Sequence, residues 1–448
     1  MTTPIPIADK PPATEQPRLR RVARWGKQGG LAIADQALIS GSNFLIGILL
    51  ARWLSPDQYG AYALAFAIYL LLLLFYQSLL LEPMSVFGGS SYWTGLRGYV
   101  KSLLWIHGGL AALICSVLGI ATVGAHLLGR QNLQGALAGV TFAVPCVLLF
   151  WLARRVFYLG LPLIYAAGSS LLYCAVVVAG LLLLNRAHAL SPFTAFLLIG
   201  LAALVTSLLL FARMWWRLPD GPAPVVGEAW QRHWVYGRWA LVGALAGWVP
   251  AYVYYPLLSG TGQIAHAAQL RALMNLDLPV QQLYAALSLL FLPYASRMQA
   301  QPGAGTAGRL VRRITLLFTG GACLYWAVLL PLRPQLFRLL YSGKYGEVGW
   351  LLPFVALESV LTGALCGPAI VLRAMEAPSA VFWARFAGSA LTLTAGILAT
   401  WLFGISGVVA VMIASALVSL LTSFWLLYRR LPRSAAAPGP VLARVAAD

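Results

Sequence analysis

Twelve long apolar segments constrain this chain more than any other feature of its sequence. A helix needs about 20 apolar residues to cross the hydrocarbon core of a bilayer, and each segment is close to that length or longer. The segments cover 31–51, 59–81, 102–128, 134–153, 159–184, 193–212, 238–258, 263–293, 314–332, 350–372, 382–403 and 405–428. Of the 448 residues, 60% are hydrophobic and only 10% are charged, whereas soluble proteins carry roughly 25% charged residues. The sequence therefore predicts an all-α polytopic membrane protein of about twelve transmembrane helices.

The formal net charge of +19 is unevenly distributed along the chain. If the twelve segments alternate across a bilayer with both termini in the cytoplasm, 24 of the 31 Lys and Arg residues lie on the cytoplasmic side and six lie outside. The remaining one, Arg271, lies within a predicted helix. Cytoplasmic loops of membrane proteins carry such an excess of basic residues. The bias predicts two cytoplasmic termini, and it explains the basic composition without a nucleic-acid partner.

A turn-rich stretch after the sixth segment divides the helices into two bundles of six. The predicted order is a disordered basic cytoplasmic tail at 1–30, an N-terminal six-helix bundle at 31–214, a cytoplasmic linker with an amphipathic segment at 215–237, a C-terminal six-helix bundle at 238–430 and a cytoplasmic tail at 431–448. The first tail has no apolar region of the kind that a signal peptide requires. An even number of helices per bundle is typical of transporters built from parallel repeats.

The eighth segment carries an unusual number of polar residues. At 100° per residue, Gln263, His266, Arg271, Asn275 and Asp277 fall on one half of the helix surface. Charged side chains at bilayer depth are costly and usually face a cavity or a partner. One hypothesis makes Arg271 a fixed cation for an anionic substrate and Asp277 its counter-charge or an ion-coupling site. The alternative is a static ion pair that joins two helices.

Two further acids lie inside predicted helices, Asp35 in the first and Glu358 in the tenth. Asp35 can neutralise an inner arginine such as Arg24, take part in ion coupling, or act as an acid favoured by the helix dipole. Glu358 needs a partner that the sequence does not name, and it is a third candidate for ion coupling. Arg52, at the outer end of the first helix, either lines a vestibule or extends to the membrane surface.

Aromatic residues form two stripes. Tyr62, Tyr69 and Tyr76 recur every seven residues along the second helix, and Trp248 and Tyr252 share a face of the seventh. Such rings can line a groove for a glycan or a lipid. Tyrosine and tryptophan also collect at membrane interfaces and pack between helices, so both interpretations stay open.

Several kinds of chemistry have no support in the sequence. The five cysteines never occur at the spacing of a zinc site or a redox motif. An Asp-x-Asp motif and a Walker A motif are both missing from the chain. We therefore expect a protein that is not an enzyme and that has no cofactor and no metal site.

Several stretches resemble the polysaccharide transporter family, the O-antigen and exopolysaccharide repeat-unit flippases of the MOP flippase superfamily. They are DQALISGSNF (35–44), ARWLSPDQYGAY (51–62), LEPM (81–84), LYSGKY (340–345), LPF (352–354), LRAMEAP (372–378) and FGISGV (403–408). The pattern is distributed over residues 20 to 430. His266 departs from it, because the family's usual Gly-x-Tyr motif, kept at 60–62, reads Ile264-Ala265-His266 in the second half.

The resemblance implies two six-helix bundles in a V around a cationic cavity. It implies alternating access, in which a polyprenyl-diphosphate-linked oligosaccharide crosses the bacterial cell inner membrane. Related lipid flippases bind the diphosphate with membrane-embedded arginines, which makes Arg24, Arg52 and Arg271 candidates by position, with Asp35 beside them. Partners would be the lipid-linked oligosaccharide, membrane lipids and polysaccharide polymerase or assembly proteins.

Two other functions remain open from the sequence. A MATE-type drug/cation antiporter belongs to the same superfamily and would favour an acidic cavity. A non-transporting scaffold of a polysaccharide assembly complex would need no substrate cavity.

Overall fold

The structure, a computed structural model, describes residues 18–89, 91–159, 161–260, 264–299, 306–375 and 377–430. In these ranges the chain is almost entirely helical and contains no β-strand. The α-helices are α1 (Arg18–Trp53), α2 (Pro56–Tyr76), α3 (Glu82–Gly88), α4 (Leu96–Leu127), α5 (Gln131–Phe157), α6 (Ile164–Arg186), α7 (Pro192–Met214), α8 (Val226–Tyr252), α9 (Tyr254–Gly260), α10 (Ile264–Gln299), α11 (Thr306–Leu329), α12 (Arg333–Tyr341), α13 (Leu352–Ala374) and α14 (Pro378–Arg430). A π-helical turn, Gln77–Leu81, joins α2 to α3.

The predicted membrane-spanning character is confirmed. In the described ranges, eight helices are long and apolar enough to cross a bilayer, or ten if each of two bent pairs forms one span. The pairs are Ala240–Tyr252 with Tyr254–Gly260, bent by 48°, and Ala307–Leu329 with Arg333–Tyr341, bent by 77°. The predicted eighth segment lies in α10, which is not among these spans.

The last two predicted segments both lie in α14. This helix has 53 residues and is interrupted at Gly404, where φ is 57° and ψ is −134°. Only glycine adopts such a backbone conformation readily. The break falls at the boundary between the predicted segments 382–403 and 405–428, and most residues of each of the twelve predicted segments are helical where the structure describes them.

Local sequence signals define where two of the spans begin. Ser55 caps α2, since its side chain accepts from the backbone N–H of Gln58 and the Gln58 side chain accepts from the backbone N–H of Ser55. Ser191 caps α7 through the same reciprocal bonds with Thr194. Each capping residue is followed by a proline, which is preorganised for the first helical position.

The helices pack as two halves, α1–α7 and α8–α14. In the first half, α5 lies against α4, α7 and α2, and α1 lies against α6. In the second half, α13 lies between α10, α11 and α14, while α14 also contacts α8. The halves meet mainly where α2 and α1 pack against α10. At Gly60 a Cβ atom would lie 2.1 Å from the carbonyl oxygen of Ile264, so α2 can approach α10 this closely only because residue 60 is glycine.

We call the end of the molecule where residues 215–225 connect the halves the linker end, and the end where α1 gives way to α2 the opposite end. At the linker end, Arg97 of α4 forms an ion pair with Asp220, with 2.7 Å between Nη1 and Oδ2. Arg97 also donates to the carbonyls of Trp215 and Leu218. The linker is therefore fastened to the first half.

The first turns of α8 also pack on the first half. His233 is fully buried, with its Nδ1 3.1 Å from the carbonyl oxygen of Leu79 and its Nε2 2.6 Å from the Tyr99 hydroxyl. A carbonyl can only accept, so Nδ1 carries a proton. Burial lowers the pKa of His233 to about 4, which keeps the imidazole neutral near pH 7. Residues 226–237, which include the predicted amphipathic segment, thus form one continuous helix with the following span. The four boundaries between the predicted segments and the cytoplasmic orientation of the termini stay predictions.

Candidate functional site

A cavity of about 350 Å³ lies in the second half, between α8, α9, α10, α13 and α14. Tyr252 and Tyr255 form part of its wall, together with several apolar residues. Its other polar wall residues are Arg271, Asp277, Gln281, Gln282, Glu358, Thr362, Arg385, Ser415 and Ser419. Apolar walls with a few convergent polar groups are typical of ligand sites.

Two acids on neighbouring helices face this cavity. Asp277 of α10 accepts at Oδ2 from Nε2 of Gln281 at 2.8 Å, and Glu358 of α13 accepts at Oε1 from the Thr362 hydroxyl at 3.0 Å. The other oxygen of each carboxyl group has no hydrogen-bond partner within the described ranges. The two acids lie close enough to interact electrostatically, and neither forms an ion pair with a described basic residue.

Arg271 lies between the two halves in an aromatic cage. Its side chain is 4% exposed, and Cζ lies 4.3 Å from the ring centroid of Phe66 in α2. Four tyrosine side chains interact with it electrostatically, two from the first half and two from the second. They are Tyr59, Tyr62, Tyr252 and Tyr255. A guanidinium over a desolvated aromatic face is held by about 2 kcal/mol or more.

The other predicted polar residues of α10 line the junction with the first half. Nδ2 of Asn275 donates to the Tyr59 hydroxyl at 2.9 Å, and the Asn275 side chain fills the space beside Gly47 in α1. His266 is half-buried, and its Nδ1 has no hydrogen-bond partner in the part of the chain that the structure describes. Gln263 lies outside the described residues.

Arg52 lies at the opposite end, away from the cavity wall. Its Nη1 donates to the carbonyl of Leu339 at 2.8 Å, and Nζ of Lys344 donates to the carbonyls of Arg52 and Leu54 at 2.9 and 2.7 Å. These bonds join the end of α1 to the segment around α12 and hold the two halves together there. The side chain of Arg24, the remaining predicted arginine, lies outside the described residues.

Asp35 lies in the first half and forms a buried ion pair with Arg154 of α5, with 2.6 Å between Oδ2 and Nη2. The Tyr158 hydroxyl also donates to Oδ2 at 2.5 Å, and the Ser170 hydroxyl donates to Oδ1. The guanidinium also stacks on Trp151, 4.8 Å from Cζ to the ring centroid. For Asp35, the sequence left open an inner arginine such as Arg24, ion coupling or a dipole-favoured acid, and Arg154 was counted only as a topological charge.

The tyrosine stripe of α2 is packed inside the first half. Tyr62 stacks on Phe196 with 4.8 Å between ring centroids, and the Tyr76 hydroxyl lies 3.0 Å from Nδ1 of His107. The Tyr69 hydroxyl accepts from Nε1 of Trp151 at 3.4 Å. A cavity of only about 20 Å³ remains between Tyr62, Tyr69 and their neighbours.

The second predicted stripe divides between two environments. The rings of Trp248 and Tyr252 lie 5.9 Å apart, but only Tyr252 reaches the wall of the 350 Å³ cavity. Nε1 of Trp248 is buried, with no hydrogen-bond acceptor among the described residues.

Arg385 of α14 is a cavity residue that the sequence did not reveal. It lies four residues inside the predicted segment 382–403, close enough to the cytoplasmic end to be counted as a topological charge. The structure turns its side chain to the cavity wall, with Nη1 3.2 Å from the position a Cβ atom on Gly247 would take. The sequence signal that could have identified Arg385 as a cavity residue is its position two turns inside the helix.

Comparison with known proteins identifies the fold. The chain matches no protein-family model and no curated protein sequence. Among solved structures, an inward-facing multidrug resistance MATE family transporter of the MOP superfamily has a TM-score of 0.69 at 14% identity, covering 90% of this chain and 96% of that one. The lipid II flippase MurJ in an inward closed conformation has a TM-score of 0.67 at 12% identity, covering 89% and 87%. This chain has the MATE/MurJ-like fold of the MOP superfamily.

The MATE multidrug transporter DinF-BH shares the MOP fold at a TM-score of 0.56 and 15% identity, covering 90% of this chain and 94% of that one. At these identities the likeness establishes the fold alone. These structural neighbours are transporters and flippases rather than enzymes. The MOP fold and the apolar helices together make this chain a multi-pass membrane protein.

Proposed function

We propose that this chain is a flippase that moves a polyprenyl-diphosphate-linked oligosaccharide, the repeat unit of a polysaccharide, across the bacterial inner membrane by alternating access. The observation that carries the proposal is the presence of two guanidinium groups, Arg271 and Arg385, in the wall of one intramembrane cavity. Planar guanidinium groups match phosphate oxygens in charge and geometry. The two guanidinium groups suit an anionic head group, whereas Asp277 and Glu358 in the same wall balance their charge when ionised.

In this proposal the linker end faces the cytoplasm, as the distribution of basic residues predicts. The halves are joined at the opposite end by the contact of Gly60 with Ile264 and by the bonds of Arg52 and Lys344. The proposal has the substrate enter from the linker end, where the contacts of α8 with the first half must open to admit it. These contacts at the opposite end break when it is released outside.

The cavity volume limits what can bind in this state. About 350 Å³ lies near the lower end of the range of about 300–1,000 Å³ for small-molecule pockets. It accommodates a phosphorylated head group with the first sugar, and a longer glycan requires the halves to separate further.

Asp277 and Glu358 supply ion coupling in this proposal. Each keeps one carboxyl oxygen without a partner among the described residues, and the two groups interact with each other. A proton or a monovalent cation shared between them relieves the repulsion of two like charges. Asp35 is assigned a structural role, because its charge is already neutralised by Arg154.

A MATE-type drug/cation antiporter is the second candidate, and the same two acids favour it, since an unpaired acid pair attracts an organic cation. The deciding experiment reconstitutes the purified protein in liposomes and measures two activities, translocation of a fluorescent polyprenyl-diphosphate-linked oligosaccharide and efflux of ethidium. We expect translocation without efflux. Efflux without translocation identifies the antiporter, and neither activity, together with a polymerisation defect on gene deletion, identifies a scaffold of an assembly complex.

A further inference from the structure

We propose that Arg385 binds the phosphate groups of the substrate, whereas Arg271 is a fixed cation of the junction between the halves. This inference rests on the proposed function and assigns different roles to its two arginines. It makes Arg385 a substrate-binding residue, and it makes Arg271 a positioning residue whose charge orders the tyrosines around it.

Arg271 is surrounded by aromatic rings, although its Nε has no hydrogen-bond partner among the described residues. Phe66 covers one face of the guanidinium at 4.3 Å, and tyrosines from both halves surround it. Only 4% of the side chain is exposed. To bind a substrate directly, the guanidinium would have to leave this cage and lose contacts to both halves.

Arg385 has no comparable partners. Its side chain lines the cavity, and no described residue accepts a hydrogen bond from it or forms an ion pair with it. Asp277 and Glu358 share the cavity wall with Arg385. Their hydrogen bonds, however, come from Gln281 and Thr362 and not from Arg385. A guanidinium has five N–H donors, and a charge in a membrane span without a partner is costly. A bound anion accepts hydrogen bonds from the N–H groups and neutralises the charge of the guanidinium.

The neighbouring helix keeps Arg385 in place and gives it room. The Ser389 hydroxyl, one turn further along α14, donates to the carbonyl of Ala246 at 2.5 Å and ties α14 to α8. The next residue of α8 is Gly247, where a Cβ atom would lie 3.2 Å from Nη1 of Arg385. Arg373, at the end of α13, adds to the positive potential at this guanidinium. The arrangement holds a cation at a fixed point of the wall, which is what recognition of a phosphate requires.

The test measures binding of polyprenyl diphosphate to the full chain in nanodiscs, with the unphosphorylated polyprenol as a reference probe. Arg385→Gln should weaken polyprenyl diphosphate binding about tenfold or more, since a charge-assisted hydrogen bond is lost, and it should leave polyprenol binding unchanged. Arg385→Lys should show an intermediate loss. The matched control, Arg186→Gln, removes an exposed arginine outside the cavity wall and should stay within about twofold of the wild type.

Arg385→Met replaces Arg385→Gln if the latter does not fold, because it keeps the length of the side chain without its charge. Wild-type affinity in a folded Arg385 variant overturns the assignment. So does a folded Arg271→Gln variant that loses binding while Arg385→Gln keeps it.

Failure of the proposed function is distinguishable from failure of this inference. If the wild-type protein does not bind polyprenyl diphosphate, the flippase proposal fails, and inorganic pyrophosphate becomes the probe. Pyrophosphate binding that Arg385→Gln abolishes supports Arg385 as an anion site for a different substrate. Absence of pyrophosphate binding overturns this inference as well.

Discussion

In the first half of the molecule, Arg154 and Asp35 form a buried ion pair that Tyr158 and Ser170 complete with hydrogen bonds. In the second half, the acids and Arg385 line a cavity of about 350 Å³ without ion-pair partners in the described ranges. The cavity beside the tyrosine stripe of the first half measures about 20 Å³. An ion pair in a filled core suits a rigid body, although Nε and Nη1 of Arg154 have no hydrogen-bond partner among the described residues. Charges without ion-pair partners around a cavity suit binding. In the proposed flippase, the first half is therefore the rigid support, and the second half carries the residues for binding and ion coupling.

The largest effect on stability should come from breaking the ion pair of the first half. Asp35→Ala leaves the Arg154 guanidinium buried without its counter-charge, so the free energy of unfolding should fall by about 3–5 kcal/mol. Chemical denaturation in detergent measures this. The double variant Asp35→Leu with Arg154→Met removes both charges and should recover much of the loss. A single variant as stable as the wild type would contradict the structural role of the pair.

Acidification should weaken the junction at which α8 packs on the first half. Burial lowers the pKa of His233 to about 4, whereas the unfolded chain takes up the proton near pH 6.5. Stability that is fully present above about pH 6.5 is therefore lost as the pH falls towards 4, by about 3 kcal/mol at most. His233→Gln should flatten the pH dependence of unfolding in this window. His126→Gln, at an exposed histidine, should not change it.

Tyr76→Phe tests whether the tyrosine stripe belongs to the packed core. The variant loses the hydrogen bond to His107, 3.0 Å long, and should destabilise the protein by about 1 kcal/mol. Translocation of a lipid-linked oligosaccharide in proteoliposomes should stay within about twofold of the wild type. A large loss of translocation at unchanged stability would instead indicate contact with the glycan or the lipid.

The acids of the second half should show the smallest effect on stability and a clear effect on coupling. Asp277→Asn and Glu358→Gln remove charges that have no ion-pair partner, so the free energy of unfolding should change by less than about 1 kcal/mol. The dependence of translocation on an imposed proton gradient or sodium gradient should disappear. Glu347→Gln, at an exposed acid, serves as the control. A retained gradient dependence in both variants would remove the acids from the coupling mechanism.

The sequence predicted the helices more completely than the site. Apolar length and glycine position located the spans, including the break at Gly404, because both properties are local. The polar face of α10 was also predictable, because charged residues at bilayer depth avoid lipid. Arg154 and Arg385 were missed, since both lie within two or three turns of a helix end. Sequence position alone cannot distinguish a charge at the membrane surface from one that turns inward, because the direction depends on the packing of neighbouring helices.

The same limit applied to the aromatic stripes. Periodicity placed Tyr62, Tyr69 and Tyr76 on one face of a helix, but only the packing against Phe196, Trp151 and His107 identified that face as part of the core. Tyr252, by contrast, reaches the cavity wall. A repeat of seven residues therefore predicted a common face and left its function open.

The most direct test of the flippase account is the effect of Arg271→Ala on surface polysaccharide in cells. Loss of this cation leaves the surrounding tyrosines without their partner at the junction of the halves, so the account predicts that surface polymer disappears while the protein remains in the membrane at its normal level. Arg186→Ala, at an exposed arginine outside the cavity wall, should preserve the polymer. Normal surface polysaccharide in the Arg271→Ala strain would contradict the account.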